Sequence, residues 1–397
     1  MVATKYTSFI MRADNHGEGG IIALMALALQ SSKNDPNRQQ LVLFVGLLGA
    51  SLFYGDSIIT PAISVLSAIE GIKVIAPRFE NLTIPLTLIV LSALFILQTK
   101  GNRQLGQFFP PVMAIWFAVL AALGLTNIIA HPEVLTAVNP AYAFKLMHEL
   151  GWQGFVIMGG VVLVITGAET LYADMGNFGL KPIRLAWFGY VFPALLLNYF
   201  GQGALLLNNP AALANPFYLM APAWSLYPLM LLAISATCIT SQAVISGAFS
   251  VTRQAIKLGY CPRMDIQHVV HKGLGQLYMP TVNWLLMASV LLLVISFKSS
   301  SALASAYGIA VTGTMIVDTI LAFVVIQALS RWGQFANIGF LSLFLLIDVT
   351  FLASNSLKIQ TGGWLPLAVA TLLFAIMTTW IRGKDMLAKY LEERRVL

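Results

Sequence analysis

Charged residues are scarce in this sequence of 397 residues: Asp, Glu, Lys and Arg together make up only 10% of it. Soluble domains carry about 25% charged residues, and a soluble protein of this length would have too few charges to cover its surface. Apolar residues account for 58%. Ten-residue alternating segments, which are typical of outer-membrane barrels, are not visible. We therefore predict an integral membrane protein of the all-α, polytopic class.

Cysteine is also rare, since Cys238 and Cys261 are the only two. Two cysteines are too few for a disulfide framework, and these two lack metal-ligand spacing. The net charge of +7 comes from basic residues that are dispersed over loops, which argues against a nucleic-acid partner. His131, Glu133 and His148 show no nucleophile or metal spacing. The sequence therefore does not indicate an enzyme, and we expect no cofactor and no resident metal.

Apolar runs that are long enough to cross a bilayer alternate with polar loops and define ten candidate spans. Their approximate bounds are 41–69, 82–99, 108–130, 154–173, 185–207, 228–252, 281–297, 301–328, 335–354 and 364–381. The first is longer than a bilayer requires, so we expect it to tilt or to kink at Pro61. We interpret 1–40 as the remnant of a preceding helix with a cytoplasmic loop. The transmembrane domain is 41–382, and 383–397 begins a cytoplasmic carboxyl-terminal segment.

Basic residues are distributed unequally between the two sides of these spans. If the stretch before the first span is cytoplasmic, 18 of the 23 basic residues fall on cytoplasmic segments. The other five are Lys73, Arg78, Lys145, Lys298 and Lys358. Cytoplasmic loops of membrane proteins carry an excess of Lys and Arg. With an even number of spans, this asymmetry predicts that both termini are cytoplasmic.

A polar string, GDSIITPAIS at 55–64, interrupts the first span. A carboxylate at that depth costs about 3 kcal/mol on insertion scales, so we expect Asp56 to face the protein interior and to meet a cation or a proton. Asp56, Thr60 and Ser64 recur every fourth residue and share one helix face. Oxygen ligands suit a hard cation better than a transition metal. We expect no salt bridge to Asp56, because no Lys or Arg lies within the predicted hydrocarbon depth.

A second half-site is predicted on the fourth span. Gly159, Gly160 and Gly167 weaken this helix, and we expect it to unwind at mid-membrane and expose carbonyl groups that can coordinate a cation. Thr166 and Glu169 are three residues apart and share a face. Glu169 has two interpretations: a proton carrier, or a capping or interfacial carboxylate.

Three further polar residues lie in apolar runs. Tyr307 precedes Gly308 on a span that can bend, and from the residues alone it is a packing residue or an interfacial anchor. Asp318 and Asp348 are expected away from the proposed site, where they would bond to hydroxyl groups on neighbouring helices. A second proton path through Asp348 is the alternative.

Five segments, in order, resemble the potassium uptake permeases of the Kup/HAK/KT family: 11–20, 54–62, 166–176, 306–314 and 348–366. The resemblance covers nearly the whole chain. It implies an amino-acid-permease-like (LeuT-type) architecture of twelve spans, in which two five-helix inverted repeats precede two extra helices. This chain would carry the third to the twelfth span. It would lack the first helix, most of the second and the cytoplasmic carboxyl-terminal domain, so we expect its ion site to be incomplete.

The resemblance implies potassium uptake across the bacterial inner membrane, by potassium–proton symport with alternating access. It assigns potassium binding to Asp56, Thr60, Ser64 and Thr166, proton coupling to Glu169 and a gate to Tyr307. The expected partners are potassium, the proton and the lipid bilayer, and a homodimer of the full-length protein is compatible with the family. An amino-acid or polyamine transporter of the same architecture remains open. A potassium channel also remains open, although a TVGYG filter is not found.

Overall fold

The computed structural model describes residues 1–13, 15, 17–99, 106–173, 175–269, 276–329 and 334–395. Within these residues, ten stretches are long and apolar enough to cross a membrane, which confirms the predicted number. They are Pro36–Ile75, Pro77–Gln98, Phe109–Ala130, Trp152–Ala173, Leu180–Asn208, Ala223–Lys257, Pro280–Phe297, Ser300–Ala328, Asn337–Ser356 and Trp364–Arg394. The chain is therefore a helical, multi-pass membrane protein.

The α-helices follow one another along almost the whole chain. They are α1 (Ile21–Ser31), α2 (Pro36–Ile69), α3 (Ile72–Ile75), α4 (Thr83–Gln98), α5 (Phe109–Ala130), α6 (Ala141–Leu150), α7 (Trp152–Val161), α8 (Ala168–Ala173), α9 (Met175–Phe178), α10 (Leu180–Ala186), α11 (Phe192–Asn208), α12 (Pro216–Leu219), α13 (Leu226–Lys257), α14 (Pro280–Phe297), α15 (Ser300–Leu329), α16 (Gln334–Ser356) and α17 (Trp364–Arg395). Short 3-10 segments and two π-helical turns, Val2–Phe9 and Trp187–Val191, link some of them.

Helices α2 and α15 form the centre of the molecule. In each, 72% of the most apolar stretch is buried, whereas the other eight spans bury between 17% and 39%. Helix α2 packs against α15 and also against α1, α13, α14 and α17. Because the two central helices have the least contact with the surroundings, polar residues on them are best shielded from lipid.

The local sequence accounts for the start of α2. The Asp35 carboxylate accepts hydrogen bonds from the backbone N–H groups of Asn37 and Arg38, both at 3.1 Å. Pro36 occupies the first helical turn, where its missing N–H has no cost. The helix continues through Pro61 instead of ending there. A kink at Pro61 stays a prediction.

Gly49 of α2 allows two other helices to pack closely against it. A Cβ atom at this position would lie 2.2 Å from Cδ1 of Ile21 on α1 and 2.4 Å from Cγ1 of Val317 on α15. Both distances are far below van der Waals contact. Glycine therefore sets how near α1 and α15 approach the central helix.

The amino-terminal segment lies inside the molecule. Its π-helical turn Val2–Phe9 buries three consecutive residues that begin with Lys5. The Arg184 guanidinium holds the turn in place, because it donates to the backbone carbonyls of Thr7 at 2.9 Å and Ser8 at 3.2 Å. Lys5 is one of the 18 basic residues counted on the cytoplasmic segments, and it is buried, with only 2% of its surface exposed.

Several elements lie outside the predicted spans. Helix α1 follows the amino-terminal segment, α6 and α12 lie between spans, and a two-stranded antiparallel ribbon follows α13. The ribbon consists of β1 (Gln267–Val269) and β2 (Gln276–Tyr278), with Gln267 opposite Tyr278. The described chain is predominantly helical, as predicted. Asp14 and Asp174, which belong to the family-like segments, lie outside the described residues.

Candidate functional site

Asp56 lies near the middle of the central helix α2 and is 5% exposed. The Thr60 hydroxyl, one turn further on, donates a hydrogen bond of 2.8 Å to Oδ1 of Asp56. In the part of the chain that the structure describes, Asp56 forms no ion pair with a Lys or Arg. A buried carboxylate without a cationic partner is costly. The arrangement is therefore suited to a cation or a proton that comes and goes.

The fourth span is interrupted where the sequence predicted it to unwind. Helix α7 and a 3-10 segment, Val162–Ile165, lead to Thr166, which has an extended backbone (φ −73°, ψ 166°). Gly167 follows with φ +84° and α8 begins at the next residue. A helix end leaves backbone carbonyl groups without helical partners, so the break presents oxygen atoms beside Thr166. The prediction is confirmed for Gly167, whereas Gly159 and Gly160 are helical within α7.

The break predicts opposite effects for two glycine substitutions on this span. Gly160→Ala and Gly167→Ala both add a Cβ atom into open space, but only Gly167 has a positive φ. A non-glycine residue there costs on the order of 1–2 kcal/mol, while alanine in the helix stabilises by roughly 0.4–1 kcal/mol. Thermal unfolding of the purified protein should show a lower melting temperature for Gly167→Ala than for Gly160→Ala. The reverse order would contradict the backbone assignment.

Tyr307 on α15 connects α2 to the interrupted helix. It is 8% exposed, and its hydroxyl lies beside the hydroxyl groups of Thr60 and Thr166. Asp56 also acts on it electrostatically. The structure thus brings Asp56, Thr60, Thr166 and Tyr307 together from three spans. The burial of Tyr307 argues against the interfacial-anchor interpretation.

Ser64 is the one predicted ion ligand that the structure does not connect to this group. It is half-buried on α2, one turn beyond Thr60. Its backbone carbonyl accepts a bond of 3.2 Å from the Ser67 hydroxyl. Among the described residues, no hydrogen bond joins the Ser64 side chain to the other candidate ligands.

Glu169, in the first turn of α8, is buried with 6% exposure, which contradicts an interfacial position. Its Oε1 accepts hydrogen bonds from the Tyr6 hydroxyl at 3.2 Å and the Thr314 hydroxyl at 3.4 Å. Asp56, Asp318 and Lys5 are charged groups that act on it. Glu169 therefore lies between the Asp56 group and a second set of polar residues.

That second set was not foreseen. The Tyr6 hydroxyl contacts Oδ2 of Asp318 at 3.0 Å in addition to Glu169. The expectation that Asp318 lies away from the proposed site is therefore wrong: it shares the Tyr6 hydroxyl with Glu169. A tyrosine and an aspartate within apolar runs were the available signal, but sequence separation concealed their contact.

Lys5 and Asp348 complete this interior group. Lys5 donates to Oδ2 of Asp348 at 2.6 Å and to the backbone carbonyl of Met315 at 2.9 Å. Thr319 of α15 donates to the same carboxylate oxygen at 2.5 Å. The expected bond between Asp348 and a hydroxyl of a neighbouring helix is confirmed, but its lysine partner was missed. A lysine inside the apolar stretch at the amino terminus was the signal for a buried cation.

The described residues contain no group of three His, Cys, Asp or Glu side chains that could hold a resident metal ion. The site instead consists of hydroxyl, carboxylate and backbone carbonyl oxygens. Such hard ligands suit hard cations better than transition metals.

Comparison with known proteins gives a consistent result along the chain. Residues 1–385 match the family described as the K+ potassium transporter integral membrane domain. The chain is 53% identical over 396 residues to "Probable potassium transport system protein Kup 1" of Dechloromonas aromatica, covering 100% of this chain and 63% of that protein. It is 55% identical over 393 residues to the Kup protein of Pseudomonas fluorescens, covering 99% and 62% respectively. The chain thus spans a little over three fifths of these relatives.

Proposed function

Because this chain belongs to the family of potassium transporter integral membrane domains, we propose that it forms the membrane part of a secondary active potassium uptake system. The observation that carries the proposal is the meeting of Asp56, Thr60, Thr166 and Tyr307 at the interrupted helix. These residues supply one negative charge and several neutral oxygens within a site that is shielded from lipid. A monovalent cation that sheds its water finds both kinds of partner there.

Potassium binds to Asp56, and oxygens from Thr60, Ser64 and Thr166 replace its hydration shell. Ser64 joins the set because it follows Thr60 by one turn on the same face of α2. Carbonyl groups at the helix break add further oxygens. The membrane potential favours entry by about 2.3 kcal/mol per elementary charge per 100 mV. Reversible binding of potassium is therefore sufficient for uptake, and a high affinity is not required.

Glu169 carries the coupled proton. Glu169 lies near Asp56 but has its own hydrogen-bond partners. A proton on Glu169 and a cation at Asp56 therefore each neutralise one of the two carboxylate charges. Two bound positive charges are then transported together. Tyr307 serves as the gate over the ion, since it lies against both Thr60 and Thr166.

Alternating access arises from one helix bundle rocking against the other around this site, within a LeuT-type inverted-repeat architecture. The interrupted helix supports this proposal, because broken helices at the binding site are typical of such transporters. The unequal distribution of basic residues supports cytoplasmic termini in the inner membrane. We further propose that the full-length protein works without a cofactor and is compatible with a homodimer.

The amino-acid or polyamine alternative is not favoured, because the relatives are named for potassium transport. The family is one of transporters, so an enzymatic role is not favoured either. These comparisons agree with the chemistry of the site, which offers oxygens to a cation.

Reconstitution tests the proposal. Proteoliposomes that contain the full-length protein should accumulate potassium, and an acidic exterior should increase the initial rate, because the proton enters in the same cycle. Protein-free liposomes and a proton ionophore are the controls. Entry of a labelled amino acid or polyamine without entry of potassium would refute the assignment. Currents far above the turnover of a transporter would instead indicate a channel.

A further inference from the structure

The Tyr6 hydroxyl bridges two carboxyl groups. It lies 3.2 Å from Oε1 of Glu169 and 3.0 Å from Oδ2 of Asp318. A hydroxyl group has a single proton to donate. If both carboxyl groups were ionised, the hydroxyl could donate to only one of them. At the other contact, lone pairs of the tyrosine oxygen and of the carboxylate oxygen would face each other and repel. Both contacts are favourable when one carboxyl group is protonated and donates to the tyrosine oxygen.

The charge balance of the interior leads to the same conclusion. Glu169, Asp318 and Asp348 face this region from α8, α15 and α16, and Asp56 faces it from α2. In the described part of the chain, Lys5 is the basic side chain that acts on Glu169, Asp318 and Asp348, and it binds Asp348, on which the amino group of Met1 also acts. Burial of the remaining negative charges costs free energy, which favours protonation within the group when no cation is bound.

Three carboxyl oxygens of this group are buried without a partner. Oε2 of Glu169, Oδ1 of Asp318 and Oδ1 of Asp348 have no hydrogen-bond partner within the described residues. Their side chains are at least nine-tenths buried. An unsatisfied carboxylate oxygen in the interior costs free energy, and a proton on the oxygen beside Tyr6 removes the charge of Glu169 or of Asp318. The group is therefore built to change its protonation state.

We propose that Tyr6 and Asp318 form a proton relay that removes the coupling proton from Glu169; this rests on the proposed function. In the step, protonated Glu169 gives its proton to the Tyr6 oxygen as the Tyr6 hydroxyl proton passes to Oδ2 of Asp318. One O–H bond breaks and one forms at the tyrosine, which is unchanged afterwards. Glu169 becomes ionised and Asp318 becomes neutral. The two hydrogen bonds reverse their direction without movement of any heavy atom.

The course of α15 gives the direction of the relay. In the proposed topology α15 runs toward the cytoplasm, and Asp318 follows Thr314, which contacts Glu169 at 3.4 Å, by one turn. The relay therefore carries the proton from the ion site toward the cytoplasm.

Proton entry into proteoliposomes tests the relay. The full-length protein is reconstituted with a pH-sensitive dye inside, and an inward potassium gradient is applied. Tyr6→Phe removes the bridging hydroxyl, so we expect potassium-dependent proton entry to fall at least tenfold. The potassium concentration that half-saturates binding should change less than threefold. Tyr218→Phe is the matched control, because its buried hydroxyl binds the backbone carbonyl of Ala68 at 2.7 Å and takes no part in the relay.

A second variant makes the test independent of how well Tyr6→Phe folds. Asp318→Asn keeps the shape of the side chain but cannot accept the proton, so it should show the same loss. The double variant should be no slower than either single variant, because both interrupt one path. Proton entry at the wild-type rate in a correctly inserted Tyr6→Phe or Asp318→Asn protein would overturn the relay. If the wild-type protein moves potassium without protons, the proposed symport fails, and the relay fails with it.

Discussion

Replacing Asp56 with Asn is expected to abolish potassium uptake by the full-length protein while membrane insertion stays normal. The amide has the size of the carboxyl group but lacks the charge that holds the ion. At about 4 Å and an effective dielectric constant of about 20, one such pair of charges is worth roughly 4 kcal/mol. Loss of that attraction corresponds to a reduction in binding on the order of a thousandfold. Initial uptake rates in proteoliposomes should therefore fall to background.

The same helix offers a matched control for this substitution. Asp35 caps the start of α2 through the N–H groups of Asn37 and Arg38, and asparagine is an equally good cap. Asp35→Asn therefore changes one carboxyl group to an amide on the same helix without touching the site. We expect wild-type uptake from it. Undiminished uptake by Asp56→Asn would remove Asp56 from the ion site.

Lys5→Met is expected to have the largest effect on stability. Lys5 and Asp348 are 2.6 Å apart and their side chains are 2% and 0% exposed. Removing one partner of a buried ion pair leaves an uncompensated charge and costs about 3–5 kcal/mol. The variant should unfold at a clearly lower temperature or denaturant concentration in detergent. It should also release the amino-terminal segment from α15, because Lys5 is bound to the Met315 carbonyl.

The exposed pair of Lys73 and Glu80 is the control. Its atoms are 3.3 Å apart, but the side chains are 43% and 60% exposed, so Lys73→Met should cost no more than about 1 kcal/mol. Adding Asp348→Asn to Lys5→Met should recover part of the lost stability, since the unpaired charge is then gone. If Lys5→Met cost no more than Lys73→Met, the buried pair would not anchor the amino-terminal segment.

Hydropathy alone predicted the ten spans, because each must cover the membrane thickness with apolar residues whatever its neighbours are. The interruption near Thr166 was also predictable, since Gly167 lowers the barrier to a conformation that other residues avoid. The burial of Asp56 followed from the cost of a charge in lipid. Each of these features is determined by a short stretch of chain, so the local sequence pattern predicts it.

The contacts that complete the interior could not be predicted in the same way. Tyr6 meets Asp318 across 312 positions of sequence, and Lys5 meets Asp348 across 343. No local periodicity encodes such pairs. The sequence indicated that each acid needed a partner, but the packing of α15 against the amino-terminal segment decides which partner it finds. Ser64 shows the converse: its spacing fits the face of Asp56 and Thr60, yet side-chain contacts do not tie it to them.

Anomalous scattering from thallium(I), which can substitute for potassium, would test the central claim most directly. Crystals of the full-length protein soaked in a thallium salt should show a peak bounded by the Asp56 carboxylate, the Thr60 hydroxyl and the oxygens beside Thr166. The peak should vanish in Asp56→Asn. A strong peak elsewhere in the membrane, with the Asp56 carboxylate bound only to protein groups, would contradict the account.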